Sequence, residues 1–185
     1  MSRLFSQTLC PAAISLALSL SLGFSGAAVA GDAVTEAREA ADLFRKSDSS
    51  LGPFFRDSAG YAVFPSVVKG GLGVGGAGGS GTVFQRGEAV GKTSLAQVTI
   101  GLQLGGQAYS EIIFFQNAAA LSDFKKGDFA LAAEVSAVAL SAGTSANAKY
   151  QSGVAVFTLT KTGLMYEASV GGQKFSYQGL DPRGS

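Results

Sequence analysis

Histidine and tryptophan are absent from the 185 residues, and cysteine occurs once, at Cys10. Without histidine, neither a Ser-His-Asp nor a Cys-His nucleophilic arrangement can be assembled. The usual nitrogen and sulfur ligands of zinc are missing for the same reason. One cysteine allows no intrachain disulfide, so stability has to come from packing. Charge is scarce as well. Only 15% of residues are Asp, Glu, Lys or Arg, with 14 basic against 13 acidic. That balance lacks the basic excess on which bulk nucleic-acid binding depends.

The first 30 residues read as a secretory signal peptide. Arg3 gives a positive start, residues 12–24 form a mostly apolar core, and Ala28-Val29-Ala30 is a small-residue cleavage site. The apolar core is shorter than the ~20 residues a membrane span needs. Cys10 precedes that core, so it is misplaced for lipid attachment at the cleavage site. The expectation is export to the periplasm, cell surface or outer membrane, with cleavage near Ala30. Loss of Arg3 lowers the basic count from 14 to 13 and brings the net charge to zero. Residues 31–185 are then expected to form a single domain, long enough to bury about 68–70% of the unfolded surface.

What the chain has in abundance is glycine, 26 residues of it, concentrated after residue 60. The hydrophobic run at 60–68 passes through Lys69 into a tract where nearly every second residue is glycine. Glycine weakens a strand by its backbone entropy and its missing side chain. So many in one segment imply a sharp bend or a close approach to the backbone.

Periodicity supplies the elements. Val34, Ala37, Ala41 and Phe44 recur at helical spacing over 33–46, with Asp32 placed to cap and Arg45 and Lys46 at the end. Pro53 opens a short helical turn. Residues 96–104 alternate apolar and polar as a half-buried strand, preceded by a hairpin turn within 85–91. A bend at Gly105-Gly106 leads to a strand over 107–115. Asn117 caps a short helix closed by Lys125, Lys126 and Gly127. Beyond it come a strand over 129–140, a hairpin of 154–160 and 164–170, and a short edge at 175–177. The expected class is α+β: a strongly curved antiparallel sheet or partly closed β-barrel, an N-terminal amphipathic helix and one inserted helix.

Two glycine motifs suggest phosphate binding and fail on spacing or context. Gly87-Glu88-Ala89-Val90-Gly91-Lys92-Thr93 has three residues between its glycines where a phosphate loop has four. Gly71, Gly73 and Gly76 fit the spacing of a dinucleotide fingerprint, but no helical pattern comes after them to hold a pyrophosphate. Neither nucleotide nor cofactor is expected. Carboxylates such as Asp123 and Asp128 read as solvated surface charges. Phe44, Phe54 and Phe55 suit core packing or insertion of an amphipathic element into a membrane surface.

The glycine tract and the segments C-terminal to it resemble the SYLF domain family, described as lipid-binding and actin-binding domains. The matching pieces are Gly60-Tyr61-Ala62-Val63-Phe64-Pro65, Val67-Val68-Lys69-Gly70-Gly71, Gly73-Val74-Gly75-Gly76 and Gly79-Ser80-Gly81. Further on come the segment 101–111 ending in Tyr109-Ser110-Glu111, Phe114-Phe115, Ala120-Leu121 with Phe124, Lys126-Gly127, Phe129, Gly163-Leu164-Met165 and Gly171-Gly172. The resemblance implies a non-catalytic module that binds acidic phospholipid or phosphoinositide-like head groups at a membrane surface. Some relatives also bind or bundle actin. The head-group candidates are Lys69, Lys92, Lys125, Lys126 and Lys174, and the insertion candidates are Phe44, Phe54 and Phe55. Two competing readings share the export signal: a structural or adhesive domain that binds a protein partner, and a small outer-membrane β-barrel.

Overall fold

The computed structural model describes residues 26–101, 107–127, 137–139, 148–160, 163–167 and 172–180. Helix α1 (Gly26–Ser47) leads through a 3-10 turn (Ser49–Leu51) into α2 (Gly52–Asp57). Strands β1 (Gly60–Gln85), β2 (Glu88–Gly101) and β3 (Gln107–Phe115) come next, then α3 (Ala118–Lys125). Strands β4 (Ala137–Ala139), β5 (Val154–Thr160), β6 (Gly163–Glu167) and β7 (Gln173–Gly179) complete the order. These strands belong to one antiparallel sheet, ordered β4-β6-β5-β3-β1-β2-β7. The class is α+β, and the sheet is curved and open rather than closed.

The curvature originates in β1. Its first part, residues 60–69, pairs with β3, while residues 73–85 pair with β2. Fully extended, residues 63 and 81 would lie about 60 Å apart. Instead a Cβ placed on Gly81 would meet the Val63 carbonyl at 2.5 Å and the Phe64 ring at 2.7 Å. A Cβ on Gly79 would meet the Ser66 carbonyl at 2.6 Å, and one on Gly60 the Phe84 carbonyl at 2.7 Å. The strand therefore folds back across itself about the glycine tract, and glycine is required where the two halves touch. Both properties expected of the tract, bend and close approach, are present.

Folding at β1 brings β3 and β5 over β2 and β7. Between them lies an inner core that includes Ala62, Phe64, Val67, Val83, Leu95, Ile113, Phe115, Val156 and Phe175. One end is closed by α3 through Leu121 and Phe124, whose ring lies 4.8 Å from Phe115 and 5.2 Å from Phe175. A second core forms on the outer side of β3 and β5, where Tyr61, Val63, Ile112, Phe114, Ala155 and Phe157 meet α1 and α2. Strand β3 thus buries both faces, which explains the unbroken apolar run at 112–115.

The expected α1 face is the one that packs: Ala37, Ala41 and Phe44 are buried, joined by Ala40. The helix begins at Gly26, however, so Asp32 lies inside it and does not cap it. The Asn117 cap is present, its Oδ1 accepting from the Ala120 amide at 2.9 Å, and Gly127 ends that helix with φ +76°. The hairpin between β1 and β2 turns at Arg86 and Gly87, both with positive φ. The 107–115 and 154–160 strands have the expected bounds, and β7 is longer than the expected 175–177. The bend at Gly105-Gly106, most of the 129–140 strand and the Lys161-Thr162 turn lie outside the described residues.

Candidate functional site

Insertion of Phe44 and Phe54 into a lipid surface is overturned by their burial, 0% and 8% exposed. Each contributes about 1.5–3 kcal/mol by leaving water. Phe54 packs its ring 5.5 Å from Phe114 and 5.2 Å from Phe157. Phe55 is half-buried, edge-on to Tyr61 and Phe114, with the Arg45 guanidinium 3.9 Å above its ring. These aromatics hold the helices to the sheet.

The five lysines divide into groups. Strand β2 alternates buried Gly91, Thr93 and Leu95 with outward Lys92, Ser94, Ala96 and Val98. Strand β7 places Lys174, Ser176 and Gln178 outward beside them, with Lys174 opposite Ala96 and Gln178 opposite Lys92. Strand β1 adds Gly76, Gly78 and Ser80. The result is a face of small residues carrying two lysines and, at these positions, no carboxylate. Val98 stands out of it at 73% exposure. Ser94 and Ser176 share a hydrogen bond of 2.6 Å across the strands.

Lys125 and Lys126 lie at the end of α3. Lys125 donates to Gln85 Oε1 at 3.1 Å and sits 5.7 Å from the ring of Tyr177, which pairs with inward Thr93, so it lies on the inner side of the sheet, opposite the face of Lys92 and Lys174. Lys126 pairs with Asp123 at 3.1 Å, both exposed. The Tyr177 hydroxyl donates to the Val90 carbonyl at 3.0 Å, and burial raises its pKa above the usual 10.0. Lys69 stands apart, half-buried on β1 opposite Gln107, next to Val68 at 59% exposure.

One polar pair escaped the sequence reading. Glu111 and Gln173 are fully buried, and Gln173 Nε2 donates to Glu111 Oε2 at 3.1 Å. Strands β3 and β7 are not neighbours in the sheet, so this bond crosses the inner core. A signal for it exists in the sequence, because Glu111 shares the inward parity of Ile113 and Phe115. Among the described residues no cluster of three or more His, Cys, Asp or Glu could hold a metal ion. No helix among them is long and apolar enough to cross a membrane.

Residues 96–179, from the middle of β2 to the end of β7, match the family model Ysc84, described as Las17-binding protein actin regulator. The match over that span agrees with the resemblance to the SYLF family. No curated protein matches it. The matched span includes β3, α3, Lys125, Lys126, Lys174 and both members of the Glu111–Gln173 pair. The family is one of binding domains, and its description names protein and actin partners.

Proposed function

We propose that this protein is a non-catalytic module that binds the acidic head groups of a membrane surface through the outward face of β2 and β7. The observation that carries the reading is that face itself: Lys92 and Lys174, no carboxylate at the outward positions, and exposed Val98 on a floor of glycine, alanine and serine. Small side chains on this floor let a lipid surface approach the strands closely, and the lysines meet phosphate from one side. Each basic residue near an anionic surface contributes about 1 kcal/mol, so the two lysines give affinity of only roughly tens of millimolar. Val98, or several copies on one surface, supplies the rest. Export through the N-terminal signal would place the domain at a periplasmic or cell-surface membrane.

Co-sedimentation with phosphatidylserine vesicles tests this. Binding should weaken with salt and fall sharply in a Lys92→Glu, Lys174→Glu double variant. Equal pelleting of the variant would remove this face from the function. A chain that never pelleted, yet was captured by a protein partner, would favour the adhesive reading instead.

A further inference from the structure

A cavity lies away from the lysine-bearing face, between α2 and the segment that leads into β5. It measures about 210 Å³ and is lined by Ser50, Pro53, Phe54, Asp57 and Tyr150. The rings of Phe54 and Tyr150 form one corner, their centroids 5.4 Å apart and their planes inclined by 53°. Phe54 is held rigid by Phe114 and Phe157 behind it. Among the described lining residues Asp57 supplies the only formal charge. Its carboxylate is chelated by Arg56 at 2.9 and 3.1 Å, but both side chains are largely exposed, and such pairs contribute little.

The chemistry of this lining selects among ligands. A phosphate or carboxylate would meet the Asp57 charge, with no cation among the described lining residues to hold it. A divalent metal ion would find one carboxylate and otherwise mostly apolar surface, against the six or more oxygens it prefers. A neutral apolar molecule would leave the carboxylate unused. A weakly hydrated cation with an apolar shell uses every wall: aromatic faces attract it through their quadrupoles, and the carboxylate neutralises it.

We propose that this cavity binds a quaternary ammonium group of the choline type, seated against Phe54 and Tyr150 with Asp57 as counter-charge. The Asp57 charge does reach the site: after burial, it is the second cause of the raised pKa of the Tyr150 hydroxyl. The same trimethylammonium could be presented by free choline or by a phosphatidylcholine head group. Ligand size excludes neither, since only the ammonium has to enter.

Amide chemical shifts of the whole chain, titrated with choline chloride against equal sodium chloride, test the site. Saturable shifts confined to residues 50–57 and 148–150 are expected with choline alone. Tyr150→Leu and Asp57→Asn should each weaken binding about tenfold or more. Arg56→Ala, which frees the Asp57 carboxylate, should tighten it. Pelleting with neutral phosphatidylcholine vesicles, reversed by free choline, would identify the lipid head group as the source. Choline binding without such pelleting would identify the free ligand. Shifts that do not saturate, or that survive Tyr150→Leu in a folded variant, overturn the proposal. The neutral vesicles keep this result separable from the lysine face, which needs anionic lipid.

Discussion

Gly81 lies so close to the Val63 carbonyl that a methyl group there would come within 2.5 Å of the oxygen. The obstacle is backbone, fixed by pairing with β3, and the Phe64 ring closes the same space. Gly81→Ala should therefore destabilise the domain by about 1–3 kcal/mol, the range for overpacking a filled core. Gly78 is the control. Its added Cβ would meet only the Leu95 carbonyl, at an ordinary 3.5 Å. Gly78→Ala should be neutral or mildly stabilising, by about 0.4–1 kcal/mol. Urea midpoints of the two variants measure the difference, and equal midpoints would contradict a strand folded across itself.

Neighbours on α1 separate packing from lipid insertion. Phe44 is fully buried and Leu43 is 52% exposed. Phe44→Ala should lose about 3–5 kcal/mol, the usual range for emptying a buried aromatic site. Leu43→Ala should lose little, since surface changes stay within about 0.5 kcal/mol. Chemical denaturation of both variants checks this. Phe44→Leu, which keeps the core filled, should leave vesicle pelleting unchanged.

Local spacing made most elements legible. The strand at 107–115, the Asn117 cap with its Gly127 stop, and the strand at 154–160 each carried a complete local signal. Three things were not local. The fold of β1 depends on residues 13 to 24 positions apart, such as Ser66 with Gly79 and Gly60 with Phe84, so composition indicated a bend without its partner. Phe44 and Phe54 have the same helical spacing whether they face a core or a membrane; only the second layer over β3 and β5 decides. The lysines were legible as charges and not as a surface. It is the β2–β7 register that sets Lys92 and Lys174 on one face and leaves Lys69 elsewhere.

The inner hydrogen bond between Gln173 and Glu111 should register as a coupling energy. Gln173→Leu removes the amide that donates to the buried Glu111 carboxyl, a loss of about 0.5–1.5 kcal/mol for one hydrogen bond. In a Glu111→Leu background the same change removes no such bond, so its effect should shrink toward zero. A double-mutant cycle in urea isolates the difference. Equal losses in the two backgrounds would mean that the bond contributes nothing to stability.

Two tyrosines should contribute to the alkaline decline of stability. Burial, followed by the Asp57 charge, raises the pKa of Tyr150 above 10.0, and burial raises that of Tyr177. A group with a raised native pKa binds its proton more tightly in the folded state. Its contribution is therefore complete below the unfolded value near 10 and is lost as pH rises through the higher native value. Stability should be insensitive to these groups at neutral pH and decline from roughly pH 10 upward. Tyr177 has a further reason, since ionisation removes the proton its hydroxyl donates to the Val90 carbonyl. The double variant Tyr150→Phe, Tyr177→Phe should flatten the decline, while Tyr150→Phe alone removes only the part due to α2 and Asp57. Urea midpoints across that range, with tyrosinate absorbance followed in parallel, test both statements. An alkaline decline unchanged by the double variant would assign it to other groups.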